Sequence, residues 1–169
     1  MKLTASHRWA TLTGLQRPTL SQVLEIADCR SPKPVRPPSR YVLALGDNLF
    51  VRPHLARPDL VQSVTLVLVS DYFKVPTDVK TRDLEVFSLF GVRVPCSAET
   101  MRDSLQRRGL RGMAFSTMTD EWEIIIGTAL VLHFYALKGM SGDPAQSVLK
   151  SLEFHFPPEY GGPPIEVGP

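Results

Sequence analysis

The sequence predicts an α+β fold: an antiparallel sheet with helices packed mainly on one face, a proline-rich linker and a C-terminal tail. Three observations predict it. Helix-spaced and strand-spaced apolar patterns are segregated along the chain and do not alternate. The longest apolar run, "EWEIIIGTALVLHFYALKG", is rich in strand formers and is divided by Gly127. The 15 prolines cluster at Pro32 to Pro38 and at Pro157 to Pro169, where they oppose regular packing.

The first residues, Met1 to Gly14, are mixed in character and are expected to be loosely ordered. In "PTLSQVLEIADC", Leu20, Val23, Leu24 and Ala27 recur at helical spacing, with Thr19 or Ser21 as cap. "RSPKPVRPPSR" then reads as a basic linker, because each proline lacks an amide donor and biases its predecessor to extended geometry. In "YVLALGDNLFVRP", two apolar runs flank Gly46-Asp47-Asn48, which predicts a hairpin ended by Pro53.

Residues 60–73 are ambiguous. Leu60, Val64, Val67 or Leu68, and Tyr72 suit a helix, whereas Thr65 to Val69 alone suit a buried strand; length favours the helix. "PTDVKTRDLEVFSLFG" predicts a second helix, capped by Thr77, with Val79, Leu84, Phe87 and Leu89 or Phe90 inward and Gly91 as its stop. "PCSAETMRDSLQRRGLRG" predicts a third, with Ser97 as cap, Glu99 at its positive end and Arg107 and Arg108 at its negative end. "MAFSTM" suits a strand, and the long apolar run follows. Asp143-Pro144 opens an expected helix, "PAQSVLKSL", and "EFHF" is a last short strand with Phe154 and Phe156 on one face. These elements divide the chain into an N-terminal segment, 1–40, a globular core, 41–156, and a flexible Pro/Gly tail, 157–169.

The chain has 169 residues, 43% hydrophobic and 21% charged, enough to bury a core. A net charge of +2 and a pI near 8.6 are too weakly basic to signal sequence-specific nucleic-acid binding. Neither a signal peptide nor a spanning helix is expected. Cys29 and Cys96 fit unpaired thiols in a reducing compartment. No phosphate loop, His-Glu-x-x-His or Gly-x-Ser-x-Gly occurs, so no catalytic set, metal site or cofactor is expected. His133 and His155 alternate with apolar neighbours and read as outward side chains of strands. Cys96, before a helix start, lacks an identifiable base.

Two features suggest binding. Arg30, Lys33, Arg36 and Arg40 in the linker, with Arg107, Arg108 and Arg111 after the third helix, suit an acidic membrane or phosphate surface. Pro157, Pro158 and Tyr160 match Pro-Pro-x-Tyr, the form that WW-type grooves grip as polyproline II.

With these elements in order, Tyr41 to Phe156 resembles the matrix proteins of rhabdoviruses. "NLFVRPHLARP" resembles that family's strand end, "DLVQSVTLVLVSDYF" and "DLEVFSLFG" its two helices, and "GTALVLHFYAL" with "DPAQSVLKSLEFHF" its closing strand and helix. The resemblance implies a non-enzymatic virion protein that self-associates and bridges the inner face of a membrane to a nucleocapsid. It implies budding through the proline-tyrosine motif, with a nucleocapsid protein and a WW-domain protein as partners. It places the protein in the virion and the host cytoplasm. The alternative is an adaptor domain that binds a protein partner through its proline-rich tail.

Overall fold

The computed structural model describes residues 3–35, 42–69, 81, 84, 86–110, 114–116, 121–136, 142–156 and 159–169. The fold is mixed α+β, and its sheets are antiparallel throughout the described residues.

Two helices open the chain. α1, Ala5–Thr13, is capped by Thr4, whose hydroxyl accepts from the amide of His7. Trp9 and Leu12 on it are fully buried, so the expectation of loose order does not hold for Ala5–Thr13. Their spacing brings both onto one helical face, and α1 packs on the sheet. The buried guanidinium of Arg8 donates to the carbonyl of Ala27 at 2.6 Å and faces Asp28 and Asp47. α2, Leu20–Ile26, begins at the expected cap: Thr19 and Gln22 form a reciprocal capping box.

The main sheet has eight strands in the order β1-β2-β3-β4-β10-β9-β8-β7. They are β1 Lys33–Val35, β2 Val42–Gly46, β3 Leu49–Pro53, β4 Val61–Val67, β7 Ala114–Ser116, β8 Glu121–Ile126, β9 Leu130–Ala136 and β10 Ser147–His155. The expected hairpin is present as β2–β3, turning through Asp47 and Asn48, both at positive φ. The long apolar run forms a second hairpin, β8–β9, around Gly127. A smaller sheet, in the order β11-β5-β6, joins β5 Phe87–Leu89, β6 Val92–Val94 and β11 Val167–Gly168. α3, Ala98–Arg107, starts at Ser97, whose hydroxyl accepts from the amide of Thr100.

Four further expectations are corrected. Residues 61–67 form a strand, not a helix. β4 lies between β3 and β10 and is buried on both sides, so alternation vanishes and its apolar run mimics a helical one. The helix expected to end at Gly91 is a β-hairpin where it is described. Phe87 and Leu89 point inward, Ser88 lies between them, and Phe90 and Gly91 at positive φ make the turn. The positions of Thr77 and Val79 lie outside the described residues.

Third, the helix opened by Asp143-Pro144 lasts one 3-10 turn, Pro144–Gln146, and gives way to β10. Ser147 stops it: its hydroxyl donates to the carbonyl of Pro144 and accepts from the amide of Ala98. A register shift between Leu149 and Ser151 then inserts an extra residue, so Leu149 and Leu152 both reach the core at a helix-like spacing.

Fourth, residues 159–169 do not leave the domain as a tail. Val167 pairs with Leu89, the Phe90 amide donates to the carbonyl of Glu166, and Tyr160, Ile165 and Val167 pack against the core. β5 offers an unpaired edge there, and these apolar side chains would otherwise face water.

The core has two parts. The larger joins Trp9, Leu12, Val23, Met101 and Leu105 of the helices to Leu43, Leu49, Val51, Leu66, Leu132, Phe134, Leu152 and Phe154 of the sheet. The smaller, Val35, Val42, Ala44, Phe50 and Val67, belongs to β1–β4. No helix among the described residues is long and apolar enough to cross a membrane.

Candidate functional site

Residues directly opposite in an antiparallel ladder share a face, and so do alternate residues of one strand. Following the register across the sheet therefore identifies one face by its side chains. Arg52 on β3 is opposite Ser63 on β4, which is opposite His155 on β10. Thr65, Glu153 and Val131 form the next row. Val67, Ser151, His133 and Glu123 form the one after, and Tyr135 with Glu121 the last. Residues more than a hundred positions apart in the chain thus meet in a patch a few strands wide.

The patch is a charged network centred on Glu153. Its Oε1 lies 3.5 Å from Arg52 Nη1 and 3.4 Å from His155 Nε2. Its Oε2 lies 3.2 Å from His133 Nε2. The other ring nitrogen of His133, Nδ1, is 3.4 Å from Glu123 Oε1. Lys150 holds Glu121 through its ammonium group. Burial of Glu153 opposes its ionisation. The hydrogen bond from His133 and the charges of His155, His133 and Arg52 outweigh it and hold the carboxyl at about 2. Beside His133, Ser151 is fully buried and its hydroxyl has no hydrogen-bond partner among the described residues.

This network has the acids and bases of an active site without an activated nucleophile among the described residues. Ser151 has no base within hydrogen-bonding reach. Burial pushes the Cys96 thiol up to about 12, far from a reactive thiolate. The arrangement does suit a cation: Glu121, Glu123 and His133 present ligand atoms within 4.8 Å of one another.

His133 and His155 do lie on the outward, polar face of their strands, but His133 is held by two carboxylates and is not merely solvated. The cluster itself is absent from the sequence-level expectations. The available signal was the spacing of Glu121 and Glu123, two acids on one face of a strand whose other positions are apolar. Nothing in the sequence says that His133 is the residue across from Glu123.

The sequence-predicted binding residues are scattered. Arg30 and Lys33 are exposed beside β1, at one end of the sheet order. Arg107 and Arg108 are exposed at the end of α3, which packs on β8 and β10, and Arg108 pairs with Glu166 at 3.2 Å. Arg36, Arg40, Arg111, Pro157 and Pro158 lie outside the described residues.

Tyr160 is not presented to solvent as a docking side chain. Its ring lies 5.8 Å from that of Phe154, and its backbone carbonyl accepts from the Thr128 amide at 2.7 Å. The Thr128 hydroxyl bonds the carbonyl of Glu159. Gly127 makes this approach possible, since a Cβ there would overlap the carbonyl of Tyr160.

Four large apolar side chains among the described residues are exposed: Leu3, Val86 and Ile125 to about half, and Leu55 most of all. Leu55, at the tip of the β3–β4 loop, is 91% exposed. The loop is braced from within: His54 Nδ1 accepts from the amides of Ala56 and Arg57, both at 3.2 Å.

No protein-family model matches the chain, and neither a curated protein nor a solved structure matches it.

Proposed function

We propose that the protein is a non-enzymatic structural protein of matrix type, which self-associates and lies on the inner face of an acidic membrane, bridging it to a nucleocapsid. In this reading the helices cover mainly one sheet face. The observation that carries the proposal is Leu55, an apolar side chain held in solvent by a braced loop with Arg57 on the same turn. Immersing one leucine contributes roughly 1.5–3 kcal/mol. Each basic side chain near acidic lipid adds about 1 kcal/mol, and Arg30, Lys33 and Arg107 are exposed for that role. One copy is therefore a weak membrane ligand. Many copies in contact sum these small terms, which is why the reading requires self-association.

Flotation with phosphatidylserine-containing vesicles tests this, beside sedimentation to follow assembly. The wild-type chain should float at low salt, and high salt or Leu55→Glu should release it. A strict monomer that ignores acidic vesicles at low salt would end the proposal. The adaptor alternative predicts that a peptide of residues 151–169 binds a WW domain, which requires Tyr160 to leave Phe154 in the intact chain.

A further inference from the structure

We propose that Glu121, Glu123 and His133 form a binding site for a divalent transition-metal ion of the zinc class. The backbone places all three. Glu121 and Glu123 are alternate residues of β8 and so share a face, and His133 is directly opposite Glu123 on β9. Their ligand atoms already lie within 4.8 Å of one another. Zinc needs ligands at about 2.0–2.2 Å, so the side chains must close by rotamer adjustment on an unchanged ladder. Two carboxylates and one imidazole leave a fourth position for water. The imidazole favours zinc and its neighbours over magnesium or calcium, which take oxygen.

Two further features point to an ion. The first is the support of the imidazole. His133 Nε2 lies 3.2 Å from Glu153 Oε2, and Glu153 is itself held by Arg52 and His155. A carboxylate that accepts from one ring nitrogen fixes the tautomer in which the other nitrogen offers its lone pair. Here that nitrogen is Nδ1, 3.4 Å from Glu123. The second is Ser151. It is fully buried, sits opposite His133 on the same face, and its hydroxyl has no hydrogen-bond partner among the described residues. A buried hydroxyl left unpaired is costly. An ion-bound water that reached across the imidazole would supply the missing partner.

Lys150 sets the strength of the site. Its ammonium occupies Glu121, so an ion must compete with a cation already present. This separates the site from a passive charge network, because removing one residue should strengthen it while removing others weakens it.

The test is calorimetric titration of the full-length chain with zinc chloride, with cobalt(II) absorption reporting the ligand geometry. The wild-type chain should bind one ion per molecule. His133→Ala and Glu123→Gln should abolish binding. Glu153→Gln, which reaches the three ligands only through the far nitrogen of the His133 ring, should weaken it by about 10- to 100-fold. Lys150→Met should tighten it. Circular dichroism establishes that each variant is folded. If His133→Ala does not fold, the near-isosteric Glu123→Gln and the opposite effect of Lys150→Met still decide the matter. The proposal is overturned if the wild-type chain binds no zinc, or if Glu123→Gln binds as the wild type does. It is also overturned if Lys150→Met fails to tighten binding.

Discussion

Replacing Tyr160 separates a packed side chain from a docking one. Its ring lies against Phe154 in the core, and its hydroxyl is buried without a hydrogen-bond partner among the described residues. A tyrosine buries about 150–250 Å² when fully enclosed. Tyr160 is only partly enclosed, so about 100 Å² is a fair share, worth about 2.5 kcal/mol at roughly 25 cal/mol per Å². Its unpaired hydroxyl offsets some of this, by up to about 1 kcal/mol. Tyr160→Ala should therefore cost about 1.5–2.5 kcal/mol, or roughly 3–10 °C in Tm for a chain of this size. Tyr160→Phe keeps the ring and removes the unpaired oxygen, so it should be neutral or stabilising. Urea unfolding measures both. Burial also pushes the phenol up to about 12. The neutral form is the one the fold prefers, so its contribution is intact below the ordinary value near 10 and is lost as pH rises toward 12. One of the four tyrosines should accordingly titrate late in the native protein. A cost below about 0.5 kcal/mol for Tyr160→Ala, the range of exposed substitutions, would show that the ring is solvated. A loss above about 1 kcal/mol for Tyr160→Phe would show that the hydroxyl has a partner. Either result refutes the packing argument.

Gly127→Ala should release the segment after Phe156 from the β8–β9 turn, because the new methyl meets the carbonyl of Tyr160 at a residue with φ of 60°; faster amide exchange at Thr128, whose amide donates to that carbonyl, reports it. The Cys96 thiol, pushed up to about 12 by burial, should resist alkylation at neutral pH until the protein is unfolded, and rapid labelling of the native chain at this position would contradict that. Glu153 titrates at about 2, below an ordinary glutamate, so its contribution is present above about pH 4.5 and is lost as pH falls toward 2. Acid unfolding of the metal-free chain should show a loss on the order of 3 kcal/mol over that window. Glu153→Gln should flatten that limb, and an unchanged acid profile would remove Glu153 as its source.

Where an element is defined by its own residues, the sequence alone determined it. Thr19 and Ser97 cap α2 and α3 because their hydroxyls reach amides three positions on. Asp47 and Asn48 turn the first hairpin and Gly127 the second, since each tolerates positive φ. Phe154 and Phe156 are buried on the same side of His155, as strand alternation requires. Tertiary structure decided whatever depended on distant partners. β4 is a strand because β3 and β10 pair with it on either side, and burial on both faces erased the alternation that would have revealed it. β10 hid behind a bulge that spaced Leu149 and Leu152 as a helix would. The last residues fold back because β5 leaves an edge open and Gly127 leaves room for Tyr160. The charged network is the furthest from the sequence of all. Arg52, Glu123, His133 and Glu153 come from four strands, and only the order and register of the sheet bring them within 3.5 Å of one another, pair by pair. Local propensity acts over a few residues, whereas register is set by the packing of the whole sheet.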